Sequence, residues 1–464
     1  MSKNKNPIKT PVPPIPTPVF TTQIINGVST LVGTANNDTM TAPAGVIPPR
    51  FIAAGANAFY AVSNADGGAG DDTMYAYNSS TYGNGSTLHG NIGNDKLYGS
   101  NMRDALHGGD GNDTILAGDG SDLIWGDAGN DNIDGGLGID FAYFDSATSA
   151  VTVDLALTTA QNTGGAGIDT IVNVEGLFGS NFNDVLLGDA TANTLDGGAG
   201  NDTLDGRAGN DTINGGAGDD TISGGDGNDI ISGGDGTNTI YAGAGDDVIN
   251  KTTISTTDGI SNDMIDGGTG TDTLAINLYY GSSLNVDLSK GTVTGNSWGN
   301  TFTQTVSNIE NVSTNVNNAT LIGNDGDNVL TGAYSSVLIG NAGNDKLTGF
   351  FHDQMTGGTG ADTFATYLSQ DTILDFSAAE GDKIDISVWA AWANTTSRVW
   401  NTVITFLDNG AAFTGVIGQV HVVADATVPG LQHIEADFYG DKSVFYSTDV
   451  YSSTTLTAND FFFY

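Results

Sequence analysis

The apolar residues of this chain do not fall into helical stripes. Over long stretches a single aliphatic residue recurs every nine positions, first as Ile115, Ile124 and Ile133, then as Leu204, Ile213, Ile222, Ile231, Ile240 and Ile249. Polar residues flank several of them on both sides, as at Ile133, Leu204, Ile213 and Ile222. A surface helix would need apolar positions three and four apart. A nine-residue step has room only for a short strand and a turn. The pattern therefore predicts half a coil per step, with eighteen residues making two strands and two turns around a narrow aliphatic column. Segments 151–184 and 284–318 alternate apolar and polar residues instead, so they read as strands. Each parallels the other and is expected to add non-calcium turns of the same solenoid. From Asp371 the period is lost, and "DTILDFSAAEGDKIDISVW" opens a region of mixed strands.

Between the aliphatic positions the wording is nearly fixed. Residues 197–223 read "GGAGNDTLDGRAGNDTINGGAGDDTIS", three copies of small-small-x-Gly-x-Asp-x-aliphatic-x without a gap. The copies divide the chain. A Pro-rich arm (1–18) has five prolines between Pro11 and Pro18 and reads as extended. An N-terminal β cap with degenerate repeats (19–89) precedes the first array (90–143). An intervening strand segment (144–178) leads to the second array (179–275), and another (276–322) to a third, degenerate array (323–365). A C-terminal cap (366–464) ends the chain.

The phrase carries its own chemistry. Glycine permits positive φ and close backbone approach, so a turn rich in it can aim several carbonyl oxygens inward. Aspartate adds a hard anionic oxygen. Six to eight oxygens around a cavity suit calcium, whereas magnesium demands a tighter octahedron and keeps its waters. The candidate ligands are Asp72, Asp95, Asp104, Asp113, Asp122, Asp131 and Asp140, then Asp184, Asp202, Asp211, Asp220, Asp229 and Asp247, with weaker copies at Asp263, Asp272, Asp345 and Asp362. The turn glycines with them are Gly108, Gly109 and Gly111, Gly197, Gly198 and Gly200, Gly215, Gly216 and Gly218, and Gly224, Gly225 and Gly227. Asn193, Asn238 and Asn328 take the Asp position in three copies. One ion per pair of stacked turns gives roughly ten Ca2+ ions. Without metal, repulsion and glycine entropy keep such arrays open; with it, binding energy becomes folding energy.

Composition points the same way. The chain has 13 Lys and Arg against 54 Asp and Glu, a formal charge of −41. No Lys or Arg stands between Asp104 and Gly206. That excludes nucleic acid as a partner and disfavours an anionic membrane. No apolar run reaches the length of a transmembrane helix, and the prolines interrupt any Sec-type signal. Cysteine is absent, so an exported fold must be held by something other than disulfides.

These tandem copies resemble the nonapeptide of the RTX (repeats-in-toxin) calcium-binding proteins, over most of the chain from about Gly67 onward. The resemblance implies an all-β fold, a parallel β-roll with Ca2+-binding nonapeptide turns and a β-rich C-terminal cap. It also implies export by type I secretion machinery and an extracellular or cell-surface location. "GGTGADTFATYLSQDTILDF" and "GDKIDIS", within 357–387, resemble the C-terminal cap of serralysin-type proteases, and "LTANDFFFY" resembles the tail of such secretion signals. Extracellular calcium modules bind at about 10⁻⁴ to 10⁻³ M, so a chain of this kind stays unfolded in the cytosol and folds outside.

Catalytic motifs are missing. His89, His107, His352, His421 and His433 are scattered, and none forms His-Glu-x-x-His. "GNSWG" at 295–299 matches G-x-S-x-G around Ser297, but no helix is expected after it. Trp389, Trp392 and Trp400 are read as a hydrophobic cap rather than a sugar platform. Glu380, Asp382 and Asp385 are equally readable as one further calcium site or as a solvated loop. The expected function is a non-enzymatic, calcium-folded structural protein of the bacterial surface layer or matrix, with self-association. The rival is an adhesin or surface-polysaccharide-binding module using Tyr75, Tyr77, Tyr82 and the tryptophans. A third reading places an undetected enzyme in 282–423.

Overall fold

The computed structural model describes residues 21–25, 28–32, 39–41, 64–76, 85–252, 262–278, 281–297, 299–366, 370–387, 405–407, 419–437 and 446–462. The Pro-rich arm, Tyr77, Tyr82 and the Trp389–Trp400 cluster lie outside them. The chain forms two compact units, one of Met1–Thr148 with Leu157–Gly176, the other of Ser149–Ala156 with Leu177–Tyr464.

In the first unit the chain alternates between two parallel ladders. One carries Thr87–Ile92, Ala105–Asp110, Leu123–Ala128 and Phe141–Tyr143 in register, so that Leu88, Leu106, Ile124 and Ala142 lie opposite one another. The other carries Thr73–Tyr75, Lys96–Tyr98, Thr114–Leu116, Asn132–Asp134 and Ile168–Val172, aligning Met74, Leu97, Ile115, Ile133 and Ile171. Six-residue strands such as Ala105–Asp110 run on into the turn and bury a glycine, Gly108, as well, whereas in the three-residue strands only the middle residue points inward. In Asn132–Asp134 it is Ile133, which is buried, while its neighbours face out. The core is thus two facing columns of single aliphatic side chains. Each contributes roughly 1.5–3 kcal/mol of apolar burial.

The second unit repeats the plan. Val185–Leu187, Thr203–Asp205, Thr221–Asp226, Thr239–Ala244 and Met264–Thr269 form one parallel ladder. Thr194–Asp196, Thr212–Asn214, Ile230–Ser232, Val248–Thr252 and Thr273–Asn277 form the other. The intervening segments continue these ladders as the alternation predicts. Thr152–Asp154 pairs with Val185–Leu187, and Asn311–Thr314 with Thr273–Asn277. The second segment also departs from the solenoid: Ser283–Asp287, Thr292–Ser297 and Asn300–Ser307 form an antiparallel meander.

The third array keeps the ladder but shortens the step. Asn328, Asp345 and Asp362 are bonded across 17 residues rather than 18. Beyond it, Gln419–Ala424, Leu431–Asp437 and Tyr446–Ser452 are antiparallel, and the last returns alongside Thr372–Phe376 in parallel. Phe461–Phe462 adds a parallel rung to Lys383–Asp385, with Phe461 buried. The hydrophobic tail is therefore part of the fold's edge.

Candidate metal-binding turns

The turn 197–202 shows how the phrase is used. A Cβ on Gly197 would lie 2.4 Å from both Asp202 Oδ2 and Gly215 O, so the first position needs glycine for space. Gly198 and Gly200 have φ of +92° and +133°, which other residues adopt at a cost. Asp202 is buried, and its Oδ1 accepts the Asp184 N–H at 2.7 Å. Asp202 N–H in turn donates to Asp220 Oδ1 at 2.8 Å. One oxygen of each carboxylate thus ties a coil to the coil before it.

The other oxygen is left over. Among the described residues, Oδ2 of Asp95, Asp113, Asp122, Asp131, Asp140, Asp202, Asp211, Asp220, Asp229, Asp247, Asp272, Asp345 and Asp362 is buried with no hydrogen-bond donor. Buried anionic oxygens without a donor are costly. Burial pushes these acids far above the ordinary carboxylate range: Asp131 to about 8, Asp113, Asp122, Asp220 and Asp345 to about 7, and Asp140, Asp202, Asp211, Asp229, Asp272 and Asp362 to about 6. Repulsion along the column adds to it; Asp131 feels both Asp169 and Asp113.

The glycine at the first position repeats the same cradle elsewhere. A Cβ on Gly108 would meet Asp113 Oδ2 at 2.3 Å and Gly126 O at 2.8 Å. On Gly215 it would meet Asp220 Oδ2 and Gly233 O, and on Gly224, Asp229 Oδ2 and Ala242 O. Gly109, Gly111, Gly216, Gly218, Gly225 and Gly227 have positive φ at the second and fourth positions. The free carboxylate oxygen therefore sits beside a backbone carbonyl of the next coil. Among the described residues no three His, Cys, Asp or Glu side chains gather at one point. A cation held here would take few carboxylates and several carbonyls, an all-oxygen set that suits calcium rather than a transition metal.

The remaining predicted positions behave differently. Asp72 is buried in the same column, and its N–H donates to Asp95 Oδ1. Asp104, Asp184 and Asp263 are also buried there, but protein donors reach their second oxygens: Ser100 N–H, Ser180 N–H and hydroxyl, and Lys251 Nζ with Gln304 Nε2. Glu380, Asp382 and Asp385 do not form a three-carboxylate cluster. Asp382 instead accepts the N–H groups of Asp362 and Ser377.

Two features escaped the sequence pattern. Asp371 continues a column, with its Oδ1 accepting Asp353 N–H and its Oδ2 buried without a donor. Its only signal was the Asp-x-aliphatic of Asp371-Thr372-Ile373. The fifth position, read as free, is a second ladder of opposite polarity. Asn183 Oδ1 accepts Asn201 N–H, Asn201 Oδ1 accepts Asp219 N–H, and Asp219 Oδ1 accepts Thr237 N–H. The Asn or Asp that fills this position in most copies was the available clue.

The catalytic candidates stay unassembled. Ser297 ends an antiparallel strand, is buried, and its hydroxyl lies 3.0 Å from that of Ser282. His421 faces Glu435, and His433 lies between Asp425 and Asp449. Tyr75 stacks on Tyr98 at 4.7 Å, and His89, His107, Trp125 and Tyr143 form a continuous stack, so most of these ring faces are covered by one another.

The family model for the RTX calcium-binding nonapeptide repeat matches residues 64–79, 82–115, 107–142, 178–213, 214–249, 321–350 and 331–364. The chain carries RTX calcium-binding repeats. The matched RTX segments coincide with the turns whose carboxylates lie in the two columns of each unit. No curated protein sequence matches the chain. Among solved structures, the solution structure of the AlgE6R3 subunit from the Azotobacter vinelandii mannuronan C5-epimerase is similar at 24% identity, over 31% of this chain and 77% of that one, with a TM-score of 0.23. Among the described residues no helix is long and apolar enough to cross a membrane.

Proposed function

We propose that this RTX-repeat protein is a secreted, non-enzymatic structural protein of the bacterial surface or its matrix, exported unfolded by a type I route and folded outside by calcium. RTX repeats bind calcium, and proteins that carry them are typically secreted. The observation that carries the reading is the set of buried carboxylate oxygens that no protein donor reaches. Scaffold turns of this kind run through both units. Asp95, Asp113, Asp202 and their counterparts would hold the ions, with carbonyls of the first-position glycines. When bound, calcium supplies the positive charge that the columns lack. The chain's own residues orient the oxygens and exclude water.

A surface-layer role requires self-association after folding. Dynamic light scattering and negative-stain electron microscopy of the full chain, before and after millimolar calcium, test it. Growth into sheets or large particles is expected. A calcium-loaded protein that stays monomeric at high concentration contradicts the assembly role and leaves the calcium sites standing.

A further inference from the structure

We propose that the carboxylate columns contain two kinds of turn, and that only one kind takes a calcium ion. The proposal rests on the calcium reading above and sharpens it to individual positions.

In the open kind, the second residue of the turn has positive φ, the fourth is a positive-φ glycine, and the Asp Oδ2 is left without a donor. Turns 108–113 and 215–220 are of this kind. The backbone, not glycine itself, defines the class. Asp127, Arg207 and Asn341 stand at the second position with φ of 68°, 69° and 82°. Asp131, Asp211 and Asp345, four residues on, all keep a buried Oδ2 with no donor.

In the closed kind, the second residue turns its own N–H onto the side chain at the sixth position. Ser100 N–H donates to Asp104 Oδ2 at 2.6 Å and Ser180 N–H to Asp184 Oδ2 at 2.5 Å. Asp189 N–H and Asn324 N–H donate to Asn193 Oδ1 and Asn328 Oδ1, each at 2.8 Å. The side chain of the second residue then accepts the N–H two positions later: Ser100 from Met102, Ser180 from Phe182, Asp189 from Thr191, and Asn324 from Gly326. These are the local side-chain turns that Ser, Asp and Asn favour. They take up the oxygen that a cation would otherwise need.

Two further observations agree. Asparagine occupies the sixth position in two of the closed turns, so a neutral amide satisfies that geometry and no ionic partner is called for. The closed turns also stand where runs of open ones begin or end. Asn193 precedes Asp211 and Asp229 in its column, and Asn328 precedes Asp345 and Asp362, after which Asp382 takes Ser377 N–H. At Asp263 the chain supplies its own cation, with Lys251 Nζ 3.0 Å from Oδ2. Metal-independent turns thus bracket the runs that calcium must complete.

The test is a count of bound calcium. Full-length protein and its variants are dialysed against saturating calcium, freed of excess, and analysed for calcium per chain by atomic emission. Asp113→Asn should lose at least one ion relative to the unaltered protein, and Asp104→Asn should lose none. The double change Ser100→Gly with Met102→Gly, which reopens that turn, should gain one. Asn328→Asp, which charges a closed turn without opening it, should leave the count unchanged. Equal losses from Asp104→Asn and Asp113→Asn, or a gain from Asn328→Asp, would overturn the sorting while leaving the calcium reading intact. An unaltered protein with no bound calcium would overturn both.

Discussion

At the scale of single residues, each carboxylate in the open turns is asked to be charged in a place that penalises charge. Its folded-state pKa is raised by burial, to about 7 for Asp113 and about 8 for Asp131. Without metal, the folded form therefore holds protons that the unfolded chain has released above about pH 4. Stability of the metal-free roll is greatest below that pH and is lost as pH rises through about 6 to 8. Calcium must displace those protons, so its affinity should climb over the same range. Circular dichroism in chelator at pH 4.5 and pH 8 checks the first statement, expecting more β signal at the acid end. Repeating the calcium titration at pH 6 and pH 8 checks the second. Gly215→Ala tests the cradle: its Cβ would meet Asp220 Oδ2 at 2.4 Å and Gly233 O at 2.5 Å, so the turn must shift. The calcium midpoint of that variant should rise severalfold. Ile213→Ala removes one rung of the aliphatic column and should cost the calcium-loaded protein about 2–5 kcal/mol in urea denaturation.

At the scale of elements, the periodic parts were legible and the irregular parts were only partly so. The aliphatic residue every nine positions dictated short strands in the arrays, each with one inward aliphatic side chain. Thr203–Asp205 and Thr212–Asn214 show it directly. The Asp position was equally plain, since Asp202, Asp211 and Asp220 keep one phase. What the pattern hid was how the second oxygen of each carboxylate is used. That depends on whether Ser100 or Gly109 precedes it, a backbone choice the motif's "small" position does not distinguish. The antiparallel meander at 283–307 was also hidden, because alternation fixes a strand but not its direction. The C-terminal tail gives a separate prediction. Phe461 is buried on the rung beside Ile384. Phe461→Asp should raise hydrogen exchange in Lys383–Asp385 and Thr363–Thr366, while protection in 197–249 stays unchanged.

At the scale of the whole molecule, a formal charge of −41 works against any compact state until cations arrive. The aliphatic columns alone are thin, the glycines raise the entropy of the unfolded chain, and the buried carboxylates oppose closure. Calcium reverses the last of these at many turns together, and because each coil is tied to the next through Oδ1, folding should be cooperative along a run. The same physics suits the export proposed above, unfolded where calcium is scarce and folded where it is plentiful. The most direct test is a calcium titration of the full chain at pH 8, starting in chelator and followed by far-UV circular dichroism. The account predicts a largely unfolded spectrum without calcium and a steep, cooperative gain of β signal near millimolar calcium. A full β spectrum in chelator that calcium leaves unchanged would contradict it.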